Sequence, residues 1–152
     1  MTIAVAGEDP RGADALALVD ELSDTLAAIT GATGRASFEV SDVLLPRACF
    51  AVARDAAGRA IGCGALRPLE GDVGEVKRMY ARPGTRGAGS AVLAFLEREA
   101  ARLGYAALRL STRRVNEHAL AFYRRHGYRE IDGYGRYAGS AVSVCFEKRL
   151  GA

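Results

Sequence analysis

The sequence predicts an α/β fold in which a mixed, mostly antiparallel central sheet of about six to seven strands is flanked by helices. Three strand-like segments separated by short turns, at 48–55, 60–70 and 73–81, predict an antiparallel meander. Helical and strand-like segments then alternate, so the strand–helix–strand unit at 73–112 is expected to form a right-handed parallel crossover. Helices on the faces of a mixed sheet follow from this order.

The chain before the meander predicts one strand and two helices. Residues 2–6 are strand-like, and apolar residues recur at helical spacing over 12–29. The glycine-containing stretch 30–37 is typical of a loop, and a short helix at 41–45 is expected to end before Pro46. After the meander we expect a helix over 87–103, a strand over 105–112, a helix over 116–127, a strand over 128–132, a loop over 133–140 and a strand over 141–150.

Length and composition predict one globular domain spanning residues 1–152. No apolar run reaches the roughly 18 residues that a membrane span needs. The N-terminus carries acids where a secretory signal would be basic, and three cysteines without a C-x-x-C pair indicate a reduced, cytoplasmic protein without structural zinc. The net charge of +3 is too small by itself to indicate a nucleic-acid partner.

A glycine-rich join, RGAGSA at 86–91, connects a predicted strand to a predicted helix. The unpaired N–H groups and the dipole of a helix N-terminus favour an anion, and Gly87 and Gly89 let a phosphate approach the backbone. A pyrophosphate is the expected guest, although the motif is neither G-x-x-x-x-G-K-[ST] nor G-x-G-x-x-G. The alternative is a glycine turn that only allows the helix and strand to pack closely.

A second pattern lies on the predicted helix at 116–127. Asn116 and Tyr123 are seven residues apart, so both side chains share one helix face about 10 Å apart along the axis. Taken singly, Asn116 is typical of a helix cap and Tyr123 of a core aromatic residue. Together, on the helix that follows the join and a strand, they favour a functional site.

These motifs resemble the GNAT family of acetyl-CoA-dependent N-acyltransferases. The phosphate-loop signature of that family, Q/R-x-x-G-x-G/A, is matched by Arg86, Gly89 and Ala91. A later family segment, an Asn followed by an Ala, a Tyr and a Gly-aromatic pair, is matched by Asn116, Ala119, Tyr123, Gly127 and Tyr128. The resemblance covers about residues 48–150, whereas the preceding residues match in layout only. It implies the acyltransferase fold of that family.

The resemblance implies that acetyl-CoA is the co-substrate. Its pyrophosphate would lie on the N–H groups of the join, and its pantetheine arm would add to the edge of the preceding strand. The implied cofactor-binding residues are Met79, Tyr80, Ala81, Arg86, Gly87, Ala88, Gly89, Ser90, Ala91 and Asn116. Arginines near the join, Arg78, Arg82 and Arg86, would either help to hold the phosphates or form a solvated basic face.

The implied reaction is direct attack of a primary amine on the thioester, without a metal. An alkyl ammonium has a pKa of about 10.4, so a general base assists at neutral pH. Glu75 is the expected base, acting directly or through water; the alternative is an exposed glutamate paired with a basic neighbour. Tyr123 is the expected general acid for the departing thiolate, and strand N–H groups near Met79 or Tyr80 would polarise the carbonyl.

The remaining reactive side chains are interpreted as structural. Cys63 and Cys145 are expected to be small core residues, since neither has a histidine positioned by a motif. His118 and His126 are expected at the surface, because their spacing of eight does not suit metal ligation.

The acceptor is predicted only as an amine on a small molecule or peptide. Tyr134 and Tyr137 either line its pocket or cover the end of the sheet. The expected partners are acetyl-CoA, this acceptor and, since the family is often dimeric, a second copy of the chain; neither nucleic acid nor membrane is expected.

Two other functions remain open at this point. A non-catalytic acyl-CoA-binding or sensing module would bind CoA without transferring an acetyl group. A nucleic-acid-binding protein would use basic side chains, but aromatic residues form only 7% of the chain and are not interleaved with them, so stacking platforms are poor. The arginines concerned are Arg109, Arg113, Arg114, Arg124 and Arg125.

Overall fold

The computed structural model describes residues 2–151 and contains a mixed sheet flanked by helices, which confirms the predicted fold class. The strands in these residues are β1 Ala4–Gly7, β2 Cys49–Arg54, β3 Ala60–Glu70, β4 Val73–Ala81, β5 Ala107–Arg113, β6 Arg129–Ile131 and β7 Ser143–Arg149. The α-helices are α1 Ala13–Thr30, α2 Ala88–Arg102 and α3 Glu117–Arg125, and short 3₁₀ helices span Arg35–Ser37, Val40–Val43 and Gly135–Tyr137. No helix in this part of the chain is both long and apolar enough to cross a bilayer.

The strands form one sheet in the order β1-β2-β3-β4-β5-β7-β6. Neighbouring strands are antiparallel except β4 and β5, whose parallel pairing confirms a parallel crossover through α2. The β4/β5 ladder is short and runs only from the Val73–Ala107 pair to the Glu75–Arg109 pair. Beyond Glu75 the two strands are no longer paired, and a gap opens in the middle of the sheet.

A β-bulge bends β4 where it leaves β5. The register with β3 shifts between Cys63 and Ala65, so that Arg78 and Met79 together face the single residue Gly64. Arg78 adopts a left-handed backbone with a φ of 54°. A Cβ on Gly64 would lie 2.5 Å from the Met79 sulfur and 2.8 Å from a Val92 methyl group, so the packing of Met79 and α2 leaves little room for a side chain there. Such a bulge bends the strand and increases its twist, which helps to separate β4 from β5.

The sheet carries a hydrophobic core on each face. The core against α2 includes Val76 and Leu110, and the core against α1 includes Cys63. Because side chains alternate along a strand, Glu75 and Lys77 lie on the α1 face while Val76 lies on the α2 face. The gap between β4 and β5 is therefore open to two chemically different sides of the sheet.

Element boundaries differ from the prediction where hydrogen-bond partners are lacking. Strand β1 begins at Ala4 and not at residue 2, because its ladder with β2 starts at the Ala4–Arg54 pair. The helix expected at 41–45 is the 3₁₀ helix Val40–Val43, held by a capping box between Glu39 and Asp42.

Candidate active site

The gap between β4 and β5 opens into a cleft of about 690 Å³. The second half of β4, the end of β5, α3 and the C-terminal half of α1 surround it. Its lining includes Met79, Tyr80, Ala81, Gly89, Asn116 and Tyr123. The structure thus brings together the predicted strand-edge residues, part of the glycine-rich join and both residues of the second sequence pattern.

The join presents the N-terminus of α2 beside this cleft. Gly87 is the N-cap with a φ of 85°, no side chain caps the helix, and no acid lies in its first turn. A Cβ on Gly89 would lie 3.4 Å from the Phe122 ring, so the backbone is closely packed there. The Ala91 N–H donates to the Gly87 carbonyl at 3.0 Å, which is the first intrahelical bond. The N–H groups before Ala91 are therefore oriented to bind an anion.

Two of the three arginines near the join are engaged elsewhere, contrary to the expectation that they hold phosphates. The bulge turns the Arg78 guanidinium toward α1, where it is buried and donates to Ser23 Oγ at 2.5 Å and to two backbone carbonyls. Arg82 forms a 2.6 Å ion pair with Glu21. Arg86 is exposed and has no ion pair with another residue in 2–151, so it alone of the three is available to an anion.

Tyr123 belongs both to the core and to the cleft. Its ring packs against Phe122, Tyr128 and Phe146 with centroid distances of 5.2–6.3 Å. Within residues 2–151 no side chain or backbone group hydrogen-bonds the Tyr123 hydroxyl. Burial raises the pKa of this phenol above its ordinary value, so Tyr123 carries its proton at neutral pH. It is thus a fixed and protonated group at the cleft wall.

Asn116 and His126 tie α3 to the cleft and to the join. The Asn116 side-chain oxygen accepts from the Ala119 N–H at 3.3 Å, so it caps α3 while also lining the cleft. His126 is half-buried, which makes its predicted surface placement wrong. Its Nδ1 donates to the Phe122 carbonyl at 2.8 Å, and its Nε2 lies 3.0 Å from Ser90 Oγ in the first turn of α2. A sequence pattern within a single helix could not indicate this contact, because His126 and Ser90 lie on different helices.

Glu75 lies in a second cavity of about 360 Å³ on the α1 face, here called the Glu75 pocket. The Glu75 side chain is 4% exposed and accepts a 2.6 Å hydrogen bond from the Tyr134 hydroxyl. Its carboxylate also lies 3.6 Å from the Arg67 guanidinium and 3.9 Å from Lys77 Nζ. Glu75 is therefore not the exposed glutamate of the alternative interpretation, although it does have basic neighbours.

The Tyr134 hydroxyl keeps its proton and donates it in the hydrogen bond to Glu75. Burial and the adjacent Glu75 carboxylate raise the pKa of the Tyr134 phenol above its ordinary value. Tyr137 also lines the Glu75 pocket, and its ring lies edge-on to that of Tyr134 at 5.5 Å. These tyrosines were expected either to line the acceptor pocket or to cover the end of the sheet, and in the structure both line the Glu75 pocket.

The cleft and the Glu75 pocket adjoin at Lys77 and Tyr137, which line both cavities. Lys77 Nζ donates to the Tyr137 hydroxyl at 3.1 Å. Tyr123 lies in the core on the α2 face and Glu75 on the α1 face, so the predicted acid and base reach the gap from opposite sides.

Neither Arg67 nor Lys77 was predicted as a site residue. Arg67 stands directly opposite Glu75 in the β3/β4 register, but a register shift between Pro68 and Glu70 separates this pair from the turn. Counting back from the turn would have placed Pro68 opposite Glu75, so the turn could not have indicated the pairing.

The other reactive side chains have structural surroundings. Cys63 is fully buried, and burial raises the pKa of its thiol to about 12. Cys145 is also buried and His118 is exposed, as predicted. Arg109, considered for nucleic-acid binding, is ion-paired with Glu147 at 2.9 Å and is not a free basic group. No cluster of three or more His, Cys, Asp or Glu residues suited to a metal occurs in the described part of the chain.

Comparisons with known proteins agree with this architecture. The model of the acetyltransferase (GNAT) family matches residues 17–128. An "IAA acetyltransferase" from Azospirillum brasilense is 32% identical over 151 residues, which cover 97% of this chain and 98% of that protein. An uncharacterised N-acetyltransferase from Schizosaccharomyces pombe is 35% identical over 92 residues, covering 59% of this chain and 56% of that protein.

Solved structures show the same fold. A Klebsiella pneumoniae protein described as an acyl-CoA N-acyltransferase superposes with a TM-score of 0.81 at 28% identity over 99% of both chains. An aminoglycoside 6′-N-acetyltransferase complexed with coenzyme A superposes with a TM-score of 0.69 at 18% identity over 98% of both chains. Because the family model matches residues 17–128, which are most of this chain, the chain belongs to the acetyltransferase (GNAT) family and is an N-acetyltransferase.

Proposed function

We propose that the protein transfers an acetyl group from acetyl-CoA directly to a primary amine while both substrates are bound. The observation that carries this proposal is the gap between β4 and β5. It has an anion-binding helix N-terminus beside it, a protonated tyrosine on one face and a buried glutamate on the other. A donor and an acceptor can therefore meet in the gap from opposite faces of the sheet.

Acetyl-CoA is assigned to the cleft. Its pyrophosphate would accept hydrogen bonds from the first-turn N–H groups of α2, with Arg86 adding positive charge. The unpaired edge of β4 after Glu75 offers backbone groups to the two amides of the pantetheine arm, as an added strand would. The CoA complex of the aminoglycoside 6′-N-acetyltransferase, which shares the fold, is consistent with this assignment.

The reaction breaks the thioester C–S bond and forms an amide C–N bond. The acceptor amine loses one proton toward Glu75, and its lone pair attacks the carbonyl carbon. N–H groups of β4 near Met79 and Tyr80 would stabilise the developing oxyanion. Since Glu75 does not line the cleft, we expect one water molecule to relay the proton to it. Tyr123 would protonate the departing CoA thiolate, which gives the free thiol. The nitrogen loses its second proton to solvent as the N-acetylated product forms, and the Tyr123 phenolate takes a proton back from solvent.

The test is a panel of primary amines assayed with acetyl-CoA for release of free thiol. Calorimetry with CoA, run in parallel, reports binding independently of turnover. Amine-dependent thiol release together with CoA binding supports the proposal. CoA binding without thiol release for any amine would favour a non-catalytic acyl-CoA-binding module, and loss of both would contradict the cleft assignment.

A further inference from the structure

We propose that the acceptor is an amine that also bears a carboxylate, and that Arg67 and Lys77 in the Glu75 pocket bind this carboxylate. The inference rests on the proposed acetyl transfer and names the substrate class of the same site. A cavity of about 360 Å³ is large enough for a small amino acid or a short peptide end. Its chemistry is set by charged side chains and not by the glycine-rich backbone of the cleft.

The first observation is that Arg67 has hydrogen-bond donors that the described part of the chain does not satisfy. Its guanidinium lies 3.6 Å from Glu75 and 3.8 Å from Asp42, distances too long for hydrogen bonds. Its Nε is buried and has no hydrogen-bond partner in the part of the chain that the structure describes. A guanidinium has five N–H donors in a planar fork that matches the two oxygens of a carboxylate. The two protein carboxylates balance the charge of Arg67, yet they leave its donors unsatisfied on the wall of a cavity.

The second observation is the position of the Lys77 ammonium group between the two cavities. The Lys77 side chain is only 9% exposed, and within residues 2–151 Nζ has a single hydrogen bond, to the Tyr137 hydroxyl, beside the 3.9 Å contact with Glu75. An ammonium has three donors, so two remain for a ligand. Lys77 lines both cavities, which places its charge at the point where an acceptor must enter from the pocket to reach the thioester.

The charge balance of the pocket supports a zwitterion. Its lining carries three acids, Glu39, Asp42 and Glu75, and three bases, Arg67, Lys77 and Arg136. A purely cationic amine would meet Arg67 and Lys77 beside Glu75, and a purely anionic ligand would meet Glu75 and Asp42. A molecule with an ammonium and a carboxylate can pair each end with the opposite charge. The amine end then lies toward Glu75, which is the proposed base.

The experiment compares matched acceptors. Each amine is supplied as an α-, β- or γ-amino acid and as the amino alcohol of the same skeleton, which lacks only the carboxylate. For the wild-type protein we expect kcat/KM to favour at least one amino acid over its alcohol by about tenfold or more, because buried donors are left unpaired by the alcohol. Arg67→Gln should remove this preference, because kcat/KM should fall much further for the acid than for the alcohol.

Controls separate recognition from folding. Arg98→Gln removes an exposed arginine on α2 and should leave the preference intact. Lys77→Met provides a second variant with the same expected loss of preference, should Arg67→Gln fail to fold, and CoA calorimetry reports folding of each variant. Equal or better turnover of the alcohols by the wild type, or equal losses for acid and alcohol in both variants, would overturn the inference while acetyl transfer stands. If no amine of either kind is acetylated, the proposed function fails, and this inference with it.

Discussion

The cleft and the Glu75 pocket, on either side of β4, are lined by different kinds of chemical groups. The cleft is lined by residues of α1, β4, β5 and α3, and the join contributes Gly89 to it at the N-terminus of α2. The Glu75 pocket is formed by charged and aromatic side chains from segments far apart in the chain, with Asp42, Arg67, Glu75 and Tyr134 as examples. Both cavities are assembled by the fold, but the helix N-terminus beside the cleft comes from one contiguous segment of the sequence.

This difference explains how one fold can keep a donor and vary an acceptor. Backbone N–H groups persist under most substitutions, so an anion site at a helix N-terminus depends mainly on a few glycines. A pocket of six charged side chains changes its preference with a single substitution, because each removed charge leaves a partner unbalanced. We therefore expect substitutions in the pocket to alter acceptor use, and substitutions in the join to alter CoA binding.

The largest effect is expected from Glu75→Gln, on the pocket side. The variant keeps the shape of the side chain but cannot accept a proton, so kcat should fall by about 10²–10⁴-fold at neutral pH. The defect should shrink at pH 10, where about a quarter of an amine with a pKa of about 10.4 is neutral, and CoA affinity should not change. Thiol release at pH 7 and pH 10 measures the change in kcat, and calorimetry measures the affinity for CoA.

Glu70→Gln is the matched control for Glu75→Gln, because Glu70 is exposed at the end of β3, outside both cavities. It should retain full activity. The same relative defect for Glu75→Gln at pH 7 and pH 10 would show that Glu75 is not the base.

The second effect, on the cleft side, is expected from Gly89→Glu. The new side chain would meet Phe122 and place a negative charge where we propose that the pyrophosphate binds. The Kd for CoA should rise by about tenfold or more, equivalent to about 1.4 kcal/mol or more. Ala94→Glu adds the same side chain to an exposed position of α2 and should bind CoA normally. Unchanged CoA affinity in a folded Gly89→Glu protein would refute the assignment of the join.

A smaller effect is expected from Tyr123→Phe. The thiol of CoA has a pKa near 8.5, so its thiolate needs little assistance, and kcat should fall by less than about 10²-fold. Because burial raises the pKa of Tyr123, its proton is retained as the pH rises to about 10, and the defect should persist over that range. A donor with a more acidic thiol should show a smaller defect.

Tyr128→Phe separates acid catalysis from packing. Tyr128 is buried beside Tyr123 and donates to Glu97 at 2.9 Å, but it does not line the cleft. Its loss should lower the free energy of unfolding and leave kcat of the folded enzyme unchanged. If Tyr123→Phe is fully active, or if its defect follows only its unfolding midpoint, Tyr123 is a core residue without a role as acid.

The smallest effect on activity is expected from Cys63→Ala and Cys145→Ala. With a pKa of about 12, Cys63 is a thiolate in only about one molecule in 10⁵ at pH 7, and direct transfer needs no acyl-enzyme. Both folded variants should keep kcat within about twofold of wild type, a change too small to indicate a lost nucleophile. Intact-mass spectrometry during turnover should detect no acetylated cysteine. An acetyl-cysteine whose removal abolishes activity would refute direct transfer.

Much of the fold was predictable because its signals are local. The meander at 48–81 and the crossover through α2 followed from strand-like runs, short turns and helical spacing. Residue 2 was wrongly included in β1, since the end of a strand depends on its partner. Arg78 and Arg82 were expected either to hold phosphates or to form a solvated basic face, but in the structure both contact α1, because the bulge and Glu21 decide where these guanidinium groups point.

The sequence by itself determined the element order, the position of the glycine-rich join at a helix N-terminus and Asn116 as the cap of the helix that carries Tyr123. These features depend on backbone geometry within a few consecutive residues, which composition and spacing specify directly. Only the tertiary structure decided that Glu75 is buried, that Arg67 and Lys77 accompany it, and that it faces away from Tyr123 across the sheet. Such placements depend on strand register and on contacts between distant segments, where a shift of one residue moves a side chain to the opposite face.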